Sequence, residues 1–92
     1  MYKLKTTIVF MKEFKLIQKR GKDIEKLKSI VKKLARGEKL EEKYRNHELS
    51  NSKRFKDCIE CHIESDWLLV YQIKNEELIL VLVETGSHSD LF

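Results

Sequence analysis

The sequence predicts an α+β fold: a helix hairpin packed on an antiparallel sheet, in the order strand, two helices, three strands. Three observations predict it. Apolar residues recur at helical spacing from Phe10 to Leu34, with a glycine between the two runs. From Lys53 onward, three stretches rich in branched and aromatic residues are separated by short polar turns. Runs of helices and runs of strands that segregate along a chain indicate an α+β layer architecture. Ninety-two residues, with no proline and only three glycines, imply one domain spanning 1–92 with one modest core.

Met1 to Thr6 alternates, with Tyr2, Leu4 and Thr6 opposite Lys3 and Lys5. It is expected to be a short strand near a sheet edge, where lysines discourage further pairing. It could pair beside the last strand, though sequence does not fix that order. Phe10, Phe14 and Ile17, with Met11 beside them, form one face of a helix that Thr6 or Thr7 can cap. Lys19, Arg20 and Gly21 supply basic residues in the last turn and a left-handed stop. Asp23 opens a second helix, with Ile24, Leu27, Ile30, Val31 and Leu34 on its apolar face and Gly37 after it. So short a connection predicts an antiparallel helix pair.

Glu38 to Ser52 reads as a polar, irregular connection, anchored by Leu40, Tyr44 and Leu49. Three strands are expected next, over Lys53–Ile63, Trp67–Ile73 and Leu78–Glu84, with turns at Glu64–Ser65 and Lys74–Glu77. The chain ends on Leu91 and Phe92, both expected to dock.

The net charge of +4 favours an anionic partner such as nucleic acid. No apolar run approaches the 18 or so residues of a membrane span, and the N-terminus lacks a secretory pattern. A cytoplasmic location without membrane contact, and reduced cysteines, are therefore expected. Cys58-Ile59-Glu60-Cys61-His62 matches the string that attaches c-type haem. That chemistry requires export, and a strand would turn Cys58 and Cys61 to opposite faces, which also disfavours a zinc pair. No cofactor and no metal are expected.

The same alternation sends Glu60 and His62 to one face of their strand. His47, His62 and His88 stand far apart in the chain, but each lies near a carboxylate: Glu48, Glu60 and Glu64, and Asp90 respectively. If the fold gathers them, they could supply a general base and a general acid, since imidazole titrates near neutrality. Lys43, Arg45, Lys53, Arg54 and Lys56 bracket His47 and lead into the strand bearing His62. Cations beside histidines and acids are what phosphodiester cleavage requires, because negative charge grows on the phosphate in the transition state.

His47 with Leu49, Glu60-x-His62, Asp66-Trp67-Leu68-Leu69-Val70-Tyr71 and Thr85-Gly86-Ser87-His88-x-x-Leu91-Phe92, in that order and spacing, resemble the YafQ branch of the RelE family, toxins of bacterial type II toxin–antitoxin systems. The resemblance implies a compact microbial-RNase-like fold and a metal-independent endoribonuclease that cuts mRNA, commonly on the translating ribosome. It implies a cognate antitoxin as partner, in a heterotetramer. It also implies an active-site set of His47, Glu60, His62, Asp66, His88 and Phe92. His88 is the expected general acid and His62 or Asp66 the base or its orienter, although His62 and His88 could exchange roles. His47 would bind phosphate or relay a proton, and Phe92 would place the scissile nucleotide. The family usually has Asp at Glu60, Trp at Phe55, Arg at Ile59 and proline at Ser65; loss of the Arg at Ile59 removes one cation. The alternative is a weak or inactive family member that binds antitoxin or RNA.

Overall fold

A computed structural model describes residues 1–49 and 52–92. The first strand, β1 (Lys3–Thr6), leads into α1 (Ile8–Lys19) and α2 (Ile24–Ala35). A short 3₁₀ turn (Glu42–Tyr44) and a two-residue strand, β2 (His47–Glu48), precede β3 (Ile59–Glu64), β4 (Trp67–Lys74) and β5 (Ile79–Gly86). A one-turn helix, α3 (His88–Leu91), closes the chain.

The strands form one sheet in the order β1-β5-β4-β3-β2. β1 does lie at an edge beside the last strand, but it runs parallel to it, with Leu4 opposite Leu80. The sheet is thus mixed rather than wholly antiparallel. The helix pair carries the chain away from β1, and the edge of the hairpin built later receives it back. Every other pairing is antiparallel.

Thr7 caps α1 by accepting from the Phe10 N–H at 2.9 Å, and its hydroxyl donates to the Val83 carbonyl at 2.6 Å, which ties the helix start to β5. Asp23 caps α2 by accepting from the Glu25 N–H. Both helices end before a glycine with positive φ, Gly21 and Gly37. Phe10 and Ile17 of α1 and Leu27, Ile30 and Leu34 of α2 pack on Cys61, Ile63, Trp67, Leu69, Tyr71, Leu80 and Leu82. The two helices share this face of the sheet, with an apolar groove of about 360 Å³ between them. On the opposite face Phe55, Cys58, Leu68, Val70 and Leu91 make a second, smaller cluster.

Three further expectations need correction. The strand expected from Lys53 begins at Ile59. Residues 53–57 instead turn, with the Ser52 hydroxyl accepting from the Phe55 N–H and Asp57 at φ 60°, and this drops Phe55 into the second cluster. The connection from Glu38 to Ser52 is not wholly irregular, since it holds the 3₁₀ turn and β2; its residues 50 and 51 lie outside the described residues. At the C-terminus Leu91 docks but Phe92 remains 61% exposed. Among the described residues, no helix is long and apolar enough to cross a membrane.

Candidate active site

The polar face of β3 is where the distant histidines meet. β2 pairs with β3 so that His47 lies opposite Glu60. The short β2 is aimed by Arg45, which takes a left-handed conformation at φ 48°, and by Asn46, whose side-chain oxygen accepts from the buried Tyr71 hydroxyl. His62 stands two residues along β3 from Glu60 on the same face. His88 arrives from the far end of the chain as the first residue of α3.

Glu60 is buried, and one of its oxygens faces two imidazoles: His47 Nε2 at 3.5 Å and His62 Nε2 at 3.4 Å. The other nitrogen of His47, Nδ1, lies 2.7 Å from the Arg45 carbonyl. A carbonyl can only accept, so Nδ1 carries the proton and the ring is held in one tautomer. A second proton, on Nε2, would complete the bond to Glu60. His62 is 12% exposed at its side chain, so it is a semi-enclosed group backed by a carboxylate.

His88 is built differently. The Asp66 carboxylate accepts from the His88 backbone N–H at 3.1 Å and approaches ring Nδ1 at 3.2 Å. Those two bonds, the backbone one foremost, hold the Asp66 carboxyl below its usual range. Nδ1 therefore carries a proton, and Nε2 is left for a substrate. Ring centroids step along the site: His47 to His62 6.4 Å, His62 to His88 5.6 Å, His88 to Phe92 6.3 Å. Phe92 meets Phe55 edge-on at 5.5 Å. All six residues of the expected set thus lie along one surface.

The five expected cations divide. Lys43 and Arg45 line a cleft of about 690 Å³ together with His62 and Glu64. Lys53 is exposed, and Lys56 lines a separate cleft with Glu48 and Asp57. The Arg54 guanidinium is engaged with Glu84 and the Leu91 carbonyl, at 2.7 and 2.6 Å. Sequence reasoning missed Arg20, Lys22 and Lys26, which rim the site from the helix hairpin: Arg20 pairs with Asp90, and both lysines pair with Glu64. Arg20 closes α1, Lys22 lies in the turn and Lys26 in α2, so nothing local ties them to residues about forty to seventy positions away. Cys58 and Cys61 fall in the two separate clusters; burial raises both thiols, Cys61 to about 12, so neither offers a thiolate at neutral pH.

The model of a protein family described as bacterial toxin of type II toxin-antitoxin system, YafQ, matches residues 2–92. The chain belongs to the YafQ toxin family. It is 37% identical over 84 residues to the mRNA interferase toxin YafQ of Escherichia coli strain B/BL21-DE3, covering 90% of this chain and 87% of that one. A metal-bound toxin from Helicobacter pylori superposes over the whole of both chains, with a TM-score of 0.92 and 43% identity. The E. coli DinJ–YafQ complex gives a TM-score of 0.89 at 33% identity, covering 100% of this chain and 99% of that one. Within this YafQ-type fold, the gathering of Glu60, His62 and His88, with ligand atoms all within 4.8 Å of one another, is a property of the chain's own geometry. Two imidazole nitrogens and one carboxylate oxygen are a donor set that fits a borderline divalent metal.

Proposed function

We infer that the chain is the toxin of a type II toxin–antitoxin pair, an endoribonuclease that cleaves mRNA and is inhibited by its cognate antitoxin. The observation that carries the catalytic reading is the convergence of His62 and His88, 5.6 Å apart between ring centroids, each backed by its own carboxylate. That spacing suits two groups flanking one phosphorus, the arrangement that in-line displacement needs. One domain, 1–92, carries the activity in the cytoplasm, with mRNA on the ribosome as substrate and the antitoxin in a heterotetramer.

In the reaction a base takes the proton of a ribose 2′-OH, and the oxygen attacks the adjacent phosphorus. The 5′ oxygen leaves with a proton from the acid, giving a 2′,3′-cyclic phosphate. His62 is the base: Nε2 faces Glu60, and Nδ1 is left to face the ribose. His88 is the acid: Asp66 holds its Nδ1 and presents Nε2 outward. His47, Lys43 and Arg45 offset the charge on the pentavalent phosphate. Phe92, exposed and adjacent to His88, offers a face on which the scissile base stacks. A divalent metal held by Glu60, His62 and His88 would supply Lewis acidity there, and it would compete with this acid–base route for the two imidazoles.

The test is single-turnover cleavage of a message on programmed ribosomes. His88→Ala and His62→Ala should each lower the rate by about 10²–10⁴-fold. Full activity in either variant removes that histidine from the reaction.

A further inference from the structure

The placement of His88 depends on a helix too short to hold itself. α3 has four residues, and a single turn is far below the length at which helices persist alone. Its beginning is secured by a capping box between Ser87 and Asp90, with Arg20 on the Asp90 carboxylate at 2.9 Å. Its other end is secured by Arg54. One terminal guanidinium nitrogen donates to the Leu91 carbonyl at 2.6 Å, and the other to Glu84 on β5 at 2.7 Å. The Glu84 side chain is 7% exposed, so it is a buried carboxylate whose countercharge is this arginine. The guanidinium also lies over the Phe55 ring, 4.7 Å from its centroid, and Phe55 supports Phe92 edge-on.

We propose that Arg54 is a positioning residue for the cleavage reaction: bridging Glu84 and the Leu91 carbonyl, it clamps the end of α3 and so sets His88 and Phe92 at the scissile phosphate. The proposal rests on the nuclease reading above. It reassigns Arg54 from the row of phosphate-binding cations that its place in the chain suggested. Two of the guanidinium's five N–H donors, one from each terminal nitrogen, are committed within the protein, and its planar fork is suited to joining a carboxylate and a carbonyl across two elements.

Two variants of the full chain separate the roles. Arg54→Lys keeps the charge but cannot bridge both partners at once. Glu84→Gln keeps an acceptor oxygen but removes the charge that holds the guanidinium. The measurements are single-turnover cleavage on programmed ribosomes across toxin concentration, binding to a synthetic RNA oligonucleotide across salt, and proton NMR of the His88 and Phe92 rings. Both variants are expected to cleave about 10- to 100-fold more slowly at saturation, the scale of loss for a displaced catalytic group. Half-saturation and the salt slope of binding should stay at wild-type values, and both ring signals should shift. The proposal is overturned if Arg54→Lys cleaves at the wild-type saturated rate. It is equally overturned if Glu84→Gln does so with unshifted His88 and Phe92 signals. A phosphate role would instead make removal of the charge, in Arg54→Gln, weaken binding and reduce the salt slope by about 0.7, one single-strand phosphate contact. Should wild type leave the message intact, the nuclease reading falls, while the ring signals still decide whether Arg54 holds α3.

Discussion

Gly86 is the residue where one added methyl group should cost most. It ends β5 directly before the cap of α3, and its freedom is not a matter of positive φ. A Cβ built there would stand 3.0 Å from both the Cβ and Oδ2 of Asp90, and 3.4 Å from its Cγ. The Asp90 side chain cannot swing aside without loss: it accepts from the Ser87 N–H at 2.9 Å and from Arg20 at 2.9 Å. Gly86→Ala should therefore break the reciprocal cap. Loss of a cap costs about 0.5–2 kcal/mol, and the exposed Arg20–Asp90 pair loosens with it. A loss near 1–2 kcal/mol in a domain of this size lowers the melting temperature by about 5–15 °C. Activity should fall further than stability, since His88 is the first residue of the helix that loses its cap. The decisive assay is a double-mutant cycle by thermal unfolding and cleavage. Asp90→Gly removes the obstacle, its Cβ included, as well as the cap, so the double variant should be no worse than Asp90→Gly alone, a coupling of about 1–2 kcal/mol. Strict additivity of the two changes would refute the steric argument.

Three further outcomes follow from the site and its surroundings. Asp66→Asn should slow cleavage by about tenfold or more while leaving the fold intact, since it removes the carboxylate that holds His88 Nδ1 but keeps an oxygen for the His88 backbone N–H; an unchanged rate would exclude that role. Micromolar zinc or copper should inhibit by occupying Glu60, His62 and His88; inhibition should be reversed by chelator, and metal binding, read spectroscopically with copper, should weaken in His62→Ala. Glu13, pushed up to about 7 chiefly by burial, binds a proton in the fold that the unfolded chain has lost above about 4.5. Its contribution is fully present below the lower value and is lost as pH rises through 7, so unfolding free energy should decline from pH 5 to pH 8. Glu13→Gln should flatten that decline, and an equal slope in both proteins would show that the group titrates normally.

Much of this architecture can be read from local chemistry. Thr7 and Asp23 cap their helices, Gly21 and Gly37 end them, and the period of Phe10, Ile17, Leu27, Ile30 and Leu34 picks out the buried face. The alternation of β3 correctly divides Glu60 and His62 from Cys61 and Ile63. What local chemistry does not encode is pairing across long separations. Nothing in Lys3 to Thr6 distinguishes a parallel partner from an antiparallel one. The turn at residues 53–57 depends on an aspartate at positive φ and on a core pocket for Phe55 made by Leu68, Val70 and Leu91, all distant in the chain.

The candidate site shows the same division, with one instructive reversal. Histidines and the carboxylates beside them can be recognised as chemical equipment wherever they occur, so His47, Glu60, His62 and His88 stand out before any fold is known; Asp66 stands out only through the family resemblance, because proximity in the chain points to Asp90, which the fold gives to Arg20. Arginine and lysine carry no such label, because one residue type serves substrate, solvent and scaffold alike. Arg54 sits among Lys53, Lys56 and other cations, and by neighbourhood it reads as a phosphate ligand. Its role is set instead by Glu84, thirty residues on, whose carboxylate the fold buries within reach of the guanidinium. The bulge between Val70 and Tyr71 lies immediately beside that position, so that Val70 faces Glu84 while Tyr71 faces Leu82. An extra residue in β5 re-aims the side chains that follow it. The Glu84–Arg54 contact, and through it the end of α3, therefore depends on a register shift in the central hairpin. A substitution that straightened this bulge should displace His88 without touching any residue of the site.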